Sequence, residues 1–417
     1  MPADLAAAYG RALDAVLRAA HLMSPDDLPR LAAEGAAHLG ATQVRLWLVD
    51  YEQYVLAALL DPREQQRAPL SVDGSVAGRA FRSVEVLDVE GEDGVRRLWL
   101  PLLDGVERLG VLEVLVPRAA PLPEPERQAF SQLAHLLTEL LVSNSVYTDH
   151  YEWVRRRKPM TLAAEMQHGL LPPLTFGSSR LVISGMLAPA YEVGGDAFDY
   201  ALNGNICHVA VFDAIGHGLQ ASLLATLAVS TYRNSRRAGL DLAHTAEAID
   251  RSLDEMFGGE RFVTGLLGQL DIDTGLFRWV NAGHPAAMLL RGGRMVKELA
   301  GTPALPLGLN ALTGGIGEVS VSSESLQPGD RLLLLTDGVD EARADDGSFF
   351  GRTRLAEFAA RESASGLATP EVMRRLQHAI LRYQVGRLQD DATTLFVEWL
   401  TGDADTLTPS STSSSHL

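Results

Sequence analysis

The stretch EVGGDAFDYALNGNICHVAVFDAIGHG, residues 192–218, decides the fold of the larger part of this chain. It contains two strand-like segments, each with an acidic residue at one end, Asp196 and Asp213, and with glycine close by. Glycine lets the backbone approach closely whatever the acid holds. A carboxylate at the end of a buried apolar strand is costly unless a cation pairs with it, and this stretch has no Lys or Arg. We therefore expect a metal ion as the partner.

Two later segments have the same form. An apolar run from Leu332 ends in Asp337-Gly338, and the pair Asp390-Asp391 comes just before an apolar strand. A single Asp-Gly after a strand is often only a turn, and for any one of these segments alone the turn is favoured. Four acidic strand ends together instead indicate a carboxylate cluster, which suits Mg²⁺ or Mn²⁺. Two such ions roughly 3.5–4 Å apart can activate a water for in-line attack on phosphorus.

In order and spacing, these motifs resemble those of the PPM phosphatases. The likeness is to the bacterial branch of sporulation and stress-response serine phosphatases, of the SpoIIE and RsbU type, and covers about residues 160–400. It rests on five segments: GGDAFD at 194–199, DAIGHG at 213–218, NAGHP at 281–285, TDGV at 336–339 and DDAT at 390–393. The basic phosphate-binding residue of the eukaryotic relatives has no counterpart before Gly194, so the metals would have to bind the phosphate.

The resemblance implies a β-sandwich flanked by helices, with two Mn²⁺ or Mg²⁺ ions at one end. Water is then the nucleophile, and no Ser, Cys or His need attack. Family members remove phosphate from Ser or Thr of small anti-anti-sigma (STAS) proteins. The catalytic and metal-binding residues that the resemblance assigns are Asp196, Asp213, the carbonyl of Ala214, Asp337 and Asp390. Asp390 is preferred to Asp391 by alignment alone.

Three further residues near these motifs each have two interpretations. Asp199 is interpreted as a strand-end cap or as a support for the neighbouring ligands. His217 and His284 are each flanked by glycine or proline. A structural histidine in a turn is the favoured interpretation of both. Either could still protonate a leaving serine oxygen.

The composition of the chain argues against several classes of protein. The chain has 417 residues, enough for two or three domains, and a net charge of 36 − 53 = −17. This charge argues against a nucleic-acid or anionic-membrane binder. The single cysteine, Cys207, excludes an internal disulfide framework and fits a reducing cytoplasm. The first residues lack a signal-peptide pattern, and no apolar run reaches the roughly 18 residues of a membrane span.

Residues 1–125 are predicted to form a GAF-type sensor domain. Helices are expected at 3–22 and 24–40, followed by an antiparallel meander whose strands are predicted at 43–49, 55–60, 84–89, 97–103 and 110–116. The segment from Ser71 to Ala80 resembles the pocket-edge segment of GAF domains. Such domains bind a small molecule or form dimers, and the sequence does not reveal the signal.

Residues 126–175 are predicted to be a helical linker. The absence of Pro and Gly between Glu126 and Arg157 favours one long helix, and its apolar residues alternate at steps of three and four, as in a coiled coil. The expected result is a parallel homodimer with Leu137 and Leu140 in the seam. The first half of this helix is also expected to pack on its own sheet, with pairing between chains in the later half.

A shorter helix follows, from Thr161 to Leu171. Leu162, Met166 and Leu170 form its apolar stripe. It resembles the linker helix that transmits the sensor state in this branch.

Residues 176–400 are predicted to be the phosphatase domain and 401–417 a disordered tail. Strands and helices segregate rather than alternate, so the fold class is α+β. Strands are predicted at 181–187, 197–202, 206–212, 262–271, 276–282, 287–291, 331–336 and 393–399, and helices at 218–237, 240–257, 353–361 and 370–384.

Two functions from different classes compete. The first is a GAF-regulated, metal-dependent phosphoserine/phosphothreonine phosphatase that acts on an anti-anti-sigma protein. The second is a catalytically silent, ligand-sensing scaffold that binds such a partner without turnover. The four intact acidic positions favour the enzyme, because a silent protein has no need of four costly acids.

Overall fold

The computed structural model divides the chain into two units that meet at Lys158 and Pro159. The residues that it describes are 3–61, 65, 67–91, 94–192, 194–302, 304–310, 319–344, 346–364, 367–384 and 390–399. The predicted tail, 401–417, lies outside the described residues.

The first unit is an antiparallel sheet covered by helices. Its helices are α1 (Ala3–Ala20), α2 (Leu28–Ala37), α3 (Val76–Ser83), α4 (Glu124–Ser145) and α5 (His150–Arg155). Its strands are β1 (Gln43–Val49), β2 (Val55–Leu59), β3 (Leu70–Ser71), β4 (Leu87–Glu90), β5 (Arg96–Asp104) and β6 (Glu107–Val116). They form one sheet of order β3-β2-β1-β6-β5-β4.

Alternation along β1 gives this sheet two apolar faces. Leu46 and Leu48 pack with α1, α2 and α4, whereas Trp47 and Val49 pack with Phe81 of α3 on the other side. The five predicted strands are present, with β4 beginning three residues later than expected, but they do not form the predicted meander because β1 lies beside β6. Helix α3 was not predicted. Its N-cap is Ser75, whose side chain accepts a hydrogen bond from the Gly78 N–H.

The prediction of one continuous helix from Glu126 to Arg157 is wrong. Helix α4 ends at Ser145, and residues 146–149 separate it from α5. The apolar stripe of α4 is used within the unit, since Phe130, Leu133 and Leu137 are buried in its core. Leu137 is therefore not available for a seam between chains. An apolar sheet face has to be covered, and the heptad-like stripe covers it.

This packing predicts opposite outcomes for a substitution within α4 and one just after its end. Leu137→Asp should destabilise the first unit by at least the about 2–5 kcal/mol that truncating a core leucine costs, because it buries a charge. Tyr147→Ser should change stability by less than about 0.5 kcal/mol, because Tyr147 is 77% exposed. Chemical denaturation followed by circular dichroism measures both. A stable Leu137→Asp variant that differed only in oligomeric state would favour the coiled-coil seam instead.

The second unit contains most of the strands. Its strands are β7 (Thr175–Ser178), β8 (Leu181–Ala188), β9 (Asp196–Asn203), β10 (Ile206–Ala214), β11 (Val263–Asp271), β12 (Leu276–Ala282), β13 (Ala287–Arg291), β14 (Arg294–Leu299), β15 (Ser322–Ser325), β16 (Arg331–Leu335) and β17 (Ala392–Trp399). Its helices are α6 (Leu162–Leu170), α7 (Leu219–Arg237), α8 (Leu242–Phe257), α9 (Asp337–Asp340), α10 (Gly351–Ala364) and α11 (Thr369–Tyr383).

These strands form two antiparallel sheets packed face to face. One has the order β15-β12-β11-β10-β9 and the other β14-β13-β16-β17-β8-β7. In β16, Leu332 and Leu334 enter the core between the sheets, while Leu333 and Leu335 pack outward against α10 and α11. On the first sheet, Phe212 packs outward against α7 and α8. The result is a four-layer arrangement of helices, sheet, sheet and helices.

The mixed α/β fold agrees with the prediction. The predicted strands and long helices of this unit are present to within a few residues. The short elements β7, β14, β15 and α9 were not predicted. They are short or polar and carry little apolar periodicity.

Across the described ranges, no helix combines the length and hydropathy that a bilayer span requires.

Candidate active site

Register and strand order bring the predicted acidic residues to one end of the sandwich. Strands β9 and β10 are antiparallel, and Asp196 lies opposite Asp213. Asp337 opens α9 directly after β16, and Asp390 and Asp391 come just before β17. Strands β16 and β17 are hydrogen-bonded neighbours, so the last two motifs meet at the same edge.

The electrostatics show that these carboxylates are close to one another. Burial raises the pKa of Asp213 to about 7, with further increases from Asp337, Asp390 and Asp391. Burial also raises the pKa of Asp196 well above its usual value, and Asp213 and Asp391 add to the effect. Burial and then Asp390 raise the pKa of Asp337. Within the described residues, no Lys or Arg forms an ion pair with any of them. The cluster therefore gathers acidic groups without a basic side chain of the described residues to neutralise them.

The donor set fits a hard divalent cation. It offers carboxylate oxygens, and a cation would relieve their mutual repulsion. The carboxylates do not form a closed coordination shell, because no group of three or more Asp, Glu, His or Cys side chains in the described part of the chain has the geometry to hold an ion. The carboxylates are thus close enough to affect one another's pKa values, and their binding of a metal ion stays a prediction.

Two glycines allow the turn before β9 to pass close to the turn after β10. A Cβ at Gly194 would lie 2.4 Å from the Gly218 nitrogen, and one at Gly195 would lie 2.7 Å from the Ala214 carbonyl oxygen. The Ala214 N–H donates to the Gly195 carbonyl at 3.2 Å. The carbonyl predicted as a ligand therefore lies beside the turn that carries Asp196.

Thr336 holds the Asp196 carboxylate and was missed in the sequence. Its hydroxyl donates to Asp196 Oδ2 at 2.6 Å and accepts the Thr393 N–H at 3.0 Å. Thr336 is fully buried. It fixes one carboxylate oxygen of the first sheet to a strand end of the second. The only signal in the sequence was its place directly before Asp337.

Helix α6 contacts the site through a residue that was also missed. Gln167 is fully buried, and its Nε2 donates to the Asp196 carbonyl at 2.5 Å. The predicted apolar stripe is only partly used: Leu170 packs against the core beneath α7 and α8, but Leu162 is 63% exposed. The buried face carries Ala163, Ala164 and Gln167. Small residues on this face allow α6 to lie close against α7. The apolar pattern of the sequence favoured a neighbouring face of the helix, and such a pattern does not detect a buried amide side chain.

Asp199 belongs to a different cluster. Its Oδ1 accepts from Nε and Nη2 of Arg233 at 3.0 and 2.6 Å, and its Oδ2 accepts from Nη1 of Arg236 at 2.8 Å. It ties β9 to α7 as a buried ion pair and does not support the ligands. The prediction failed because it considered only cations nearby in sequence.

The two histidines differ in environment. His217 is exposed, whereas His284 is buried. The His284 Nδ1 lies 2.9 Å from the Thr264 hydroxyl, and its backbone N–H donates to the Asn281 side chain at 2.8 Å. Burial lowers the pKa of His284 to about 3, so its ring is neutral at physiological pH. These contacts fit the structural interpretation of His284.

The sequence of this chain is similar to those of known bacterial phosphatases. Residues 203–400 match the family model described as stage II sporulation protein E (SpoIIE). Phosphoserine phosphatase RsbU of Bacillus subtilis is 23% identical over 288 residues, which cover 68% of this chain and 82% of RsbU. Phosphoserine phosphatase RsbP of the same organism is 26% identical over 199 residues, which cover 45% of this chain and 46% of RsbP. The SiaA-PP2C domain of Pseudomonas aeruginosa is 23% identical, and the match covers 57% of this chain and 94% of that domain with a TM-score of 0.47.

The acidic site and the sequence matches identify this part of the chain as a hydrolase of the serine/threonine phosphatase class. Residues 203–400 are similar to the SpoIIE family. Asp213, Asp337 and Asp390 lie within the matched residues, and Asp196 lies just before them.

The raised pKa of Asp213 predicts how stability depends on pH without metal. A raised carboxyl pKa means that the folded state holds the proton more tightly, so stability falls as pH rises from about 4 through about 7. In chelator at pH 8, Asp213→Asn should raise Tm by a few degrees, since ~1 kcal/mol shifts Tm by about 2–4 °C in a domain of this size. The gain should be smaller at pH 5. Differential scanning calorimetry measures it.

Glu255→Gln is the matched control, because Glu255 is exposed on α8 and its neutralisation should leave Tm unchanged at both pH values. Equal melting temperatures for wild type and Asp213→Asn at pH 8 would show that the carboxylates do not repel one another appreciably.

Proposed function

We propose that this chain is a metal-dependent protein serine/threonine phosphatase that uses Mn²⁺ or Mg²⁺. The observation that carries the proposal is the convergence of four acidic motifs at one end of the sandwich, where the carboxylates raise each other's pKa values. Three of these motifs lie in the SpoIIE-type domain.

The proposed ligands are Asp196, Asp213, the Ala214 carbonyl, Asp337 and Asp390. Two bound divalent ions would supply charge neutralisation and an activated water for attack on phosphorus. The protein's own contribution is positioning, because Thr336 fixes Oδ2 of Asp196 and the Gly194-Gly195 turn brings Asp196 beside Ala214. Asp390 is exposed, so its carboxylate would be accessible to an ion that enters from solvent.

The proposed substrate is a phosphorylated anti-anti-sigma (STAS) protein in a partner-switching pathway. The similarity to RsbU and RsbP, both named phosphoserine phosphatases, supports a phosphoserine substrate on a protein. The net charge of −17 argues against nucleic acid and anionic membrane surfaces as partners, and we place the reaction in the cytoplasm. The silent-scaffold alternative gains no support, because the structure keeps all four costly carboxylates together.

We further propose that residues 1–125 form a GAF sensor, that residues 126–175 connect it to a phosphatase domain at 176–400, and that the chain forms a homodimer. The signal for the sensor is a small molecule or a protein. Helix α6 supports regulation by this connecting segment, because Gln167 holds the backbone of a proposed ligand.

The reaction can be tested directly on a phosphorylated STAS protein. Phosphate release should require Mn²⁺ or Mg²⁺, stop with chelator and return when metal is added back. Asp337→Asn should lower kcat by about 10²-fold or more, because it removes an anionic ligand from the proposed water-activating cluster. Glu357→Gln is the matched control and should keep wild-type turnover, since Glu357 is an exposed acid on α10. Full turnover in chelator would contradict the metal mechanism, and no turnover by a metal-loaded wild type would favour the scaffold.

The role of α6 predicts a second result. Gln167→Ala should raise the Mn²⁺ concentration needed for half-maximal activity by about tenfold, because a buried hydrogen bond contributes about 0.5–1.5 kcal/mol and its loss also orphans the Asp196 carbonyl. Leu162→Ala, on the exposed side of the same helix, should have wild-type metal dependence. If both variants behaved like wild type, α6 would be only a spacer.

A further inference from the structure

Asp391 occupies a position that neither the sequence motifs nor the proposed mechanism explains. Its Oδ2 accepts the backbone N–H of Gly194 at 2.7 Å and that of Gly195 at 2.6 Å, and the Asp196 N–H approaches at 3.5 Å. Three consecutive N–H groups around one oxygen form an anion-binding backbone nest. Here the anion is a side chain from the other sheet.

The main chain of Asp391 is equally constrained. A Cβ at Gly338 would lie 1.8 Å from the Asp391 carbonyl oxygen, so only glycine allows the Asp337-Gly338 turn to lie there. The Asp391 N–H donates to Oδ1 of Asp390 at 2.9 Å. One residue therefore contacts the segments that carry three proposed ligands, Asp196, Asp337 and Asp390.

The two neighbouring acids have different environments. Asp390 is exposed, whereas the Asp391 side chain points to the Gly194-Gly195 turn and has two short charge-assisted hydrogen bonds on one oxygen. A carboxylate oxygen that accepts these N–H groups has little remaining capacity for a metal ion. The geometry thus separates the roles of an Asp-Asp pair that alignment alone could not separate.

We infer that Asp391 is a positioning residue, which holds the Gly194-Gly195-Asp196 turn against the start of β17 so that Asp196 and Asp390 face the same ions. The inference rests on the proposed function, because it assumes that these two residues are ligands. The loss of partners that orient metal ligands typically weakens metal affinity by about 10–100-fold.

The test is Mn²⁺ binding to the full chain, measured by isothermal titration calorimetry without substrate, together with the Mn²⁺-induced rise in Tm. Asp391→Ala should weaken Mn²⁺ affinity by about 10–100-fold, because it leaves the Gly194 and Gly195 N–H groups without an acceptor. Asp391→Asn keeps an oxygen that can accept both N–H groups and should recover most of the affinity. Asp390→Asn, which removes a proposed ligand while leaving the turn intact, should lose affinity without recovery.

Asp330→Asn controls for a general loss of stability. Asp330 is also fully buried and also accepts a backbone N–H, that of Gln327 at 2.7 Å, but it lies before β16, at the end opposite Thr336. It should lower Tm and leave Mn²⁺ affinity unchanged.

Two results would overturn the inference. Wild-type Mn²⁺ affinity in a folded Asp391→Ala variant would show that the turn needs no such support. Equal loss of affinity in Asp391→Asn and Asp391→Ala would show that Asp391 is itself a ligand. Failure of the proposed function is a separate result, since wild type and Asp390→Asn would then both show no Mn²⁺ binding.

Discussion

Repulsion among carboxylates at one end of a β-sandwich is the constraint on which the second unit depends. Each acid is held there by a strand end or an adjacent turn, so the cost of gathering them is met by the packing of two apolar sheets and their outer helices. Burial and mutual charge raise the pKa values of Asp196, Asp213 and Asp337 together. A fold that tolerates this destabilising cluster keeps it ready for a cation, and perturbed carboxylates in such a place mark functional sites.

Hydrogen bonds between the two sheets determine where the cluster lies. Asp196 belongs to the first sheet, yet its carboxylate oxygen is held by Thr336, which follows β16 of the second. The backbone just before Asp196 is held by Asp391, which precedes β17 of that same sheet. The sandwich core fixes the distance between the sheets, and these few polar contacts fix the acids relative to one another. Core packing alone would leave the strand ends free to shift.

The parts of the fold that sequence could predict are those whose signal is local. Strands such as β10 and β16 are short apolar runs ended by acidic residues, and the long helices carry their own periodicity, so both were located to within a few residues. Predictions failed where one sequence pattern is compatible with two structures. The apolar stripe of α4 could pack in a coiled coil or against a sheet, and in this chain it packs against the sheet of the first unit. Asp199 resembled a site residue because its partners, Arg233 and Arg236, lie on a helix distant in sequence.

Positioning residues form a further class that local patterns do not reveal. Gln167, Thr336 and Asp391 act through hydrogen bonds to partners far along the chain, and an apolar pattern does not distinguish them from solvent-facing polar residues. The structure gives them a common target, since all three hold Asp196 or its turn. Gln167 lies on the helix just after the boundary between the units, while Thr336 and Asp391 lie within the second sheet. A change in the docking of α6 would therefore act on the same turn that the sheet contacts hold. Because two of the three restraints are internal to the sandwich, such a change would move Asp196 without unfolding the site, and the proposed regulation of a metal centre requires this property.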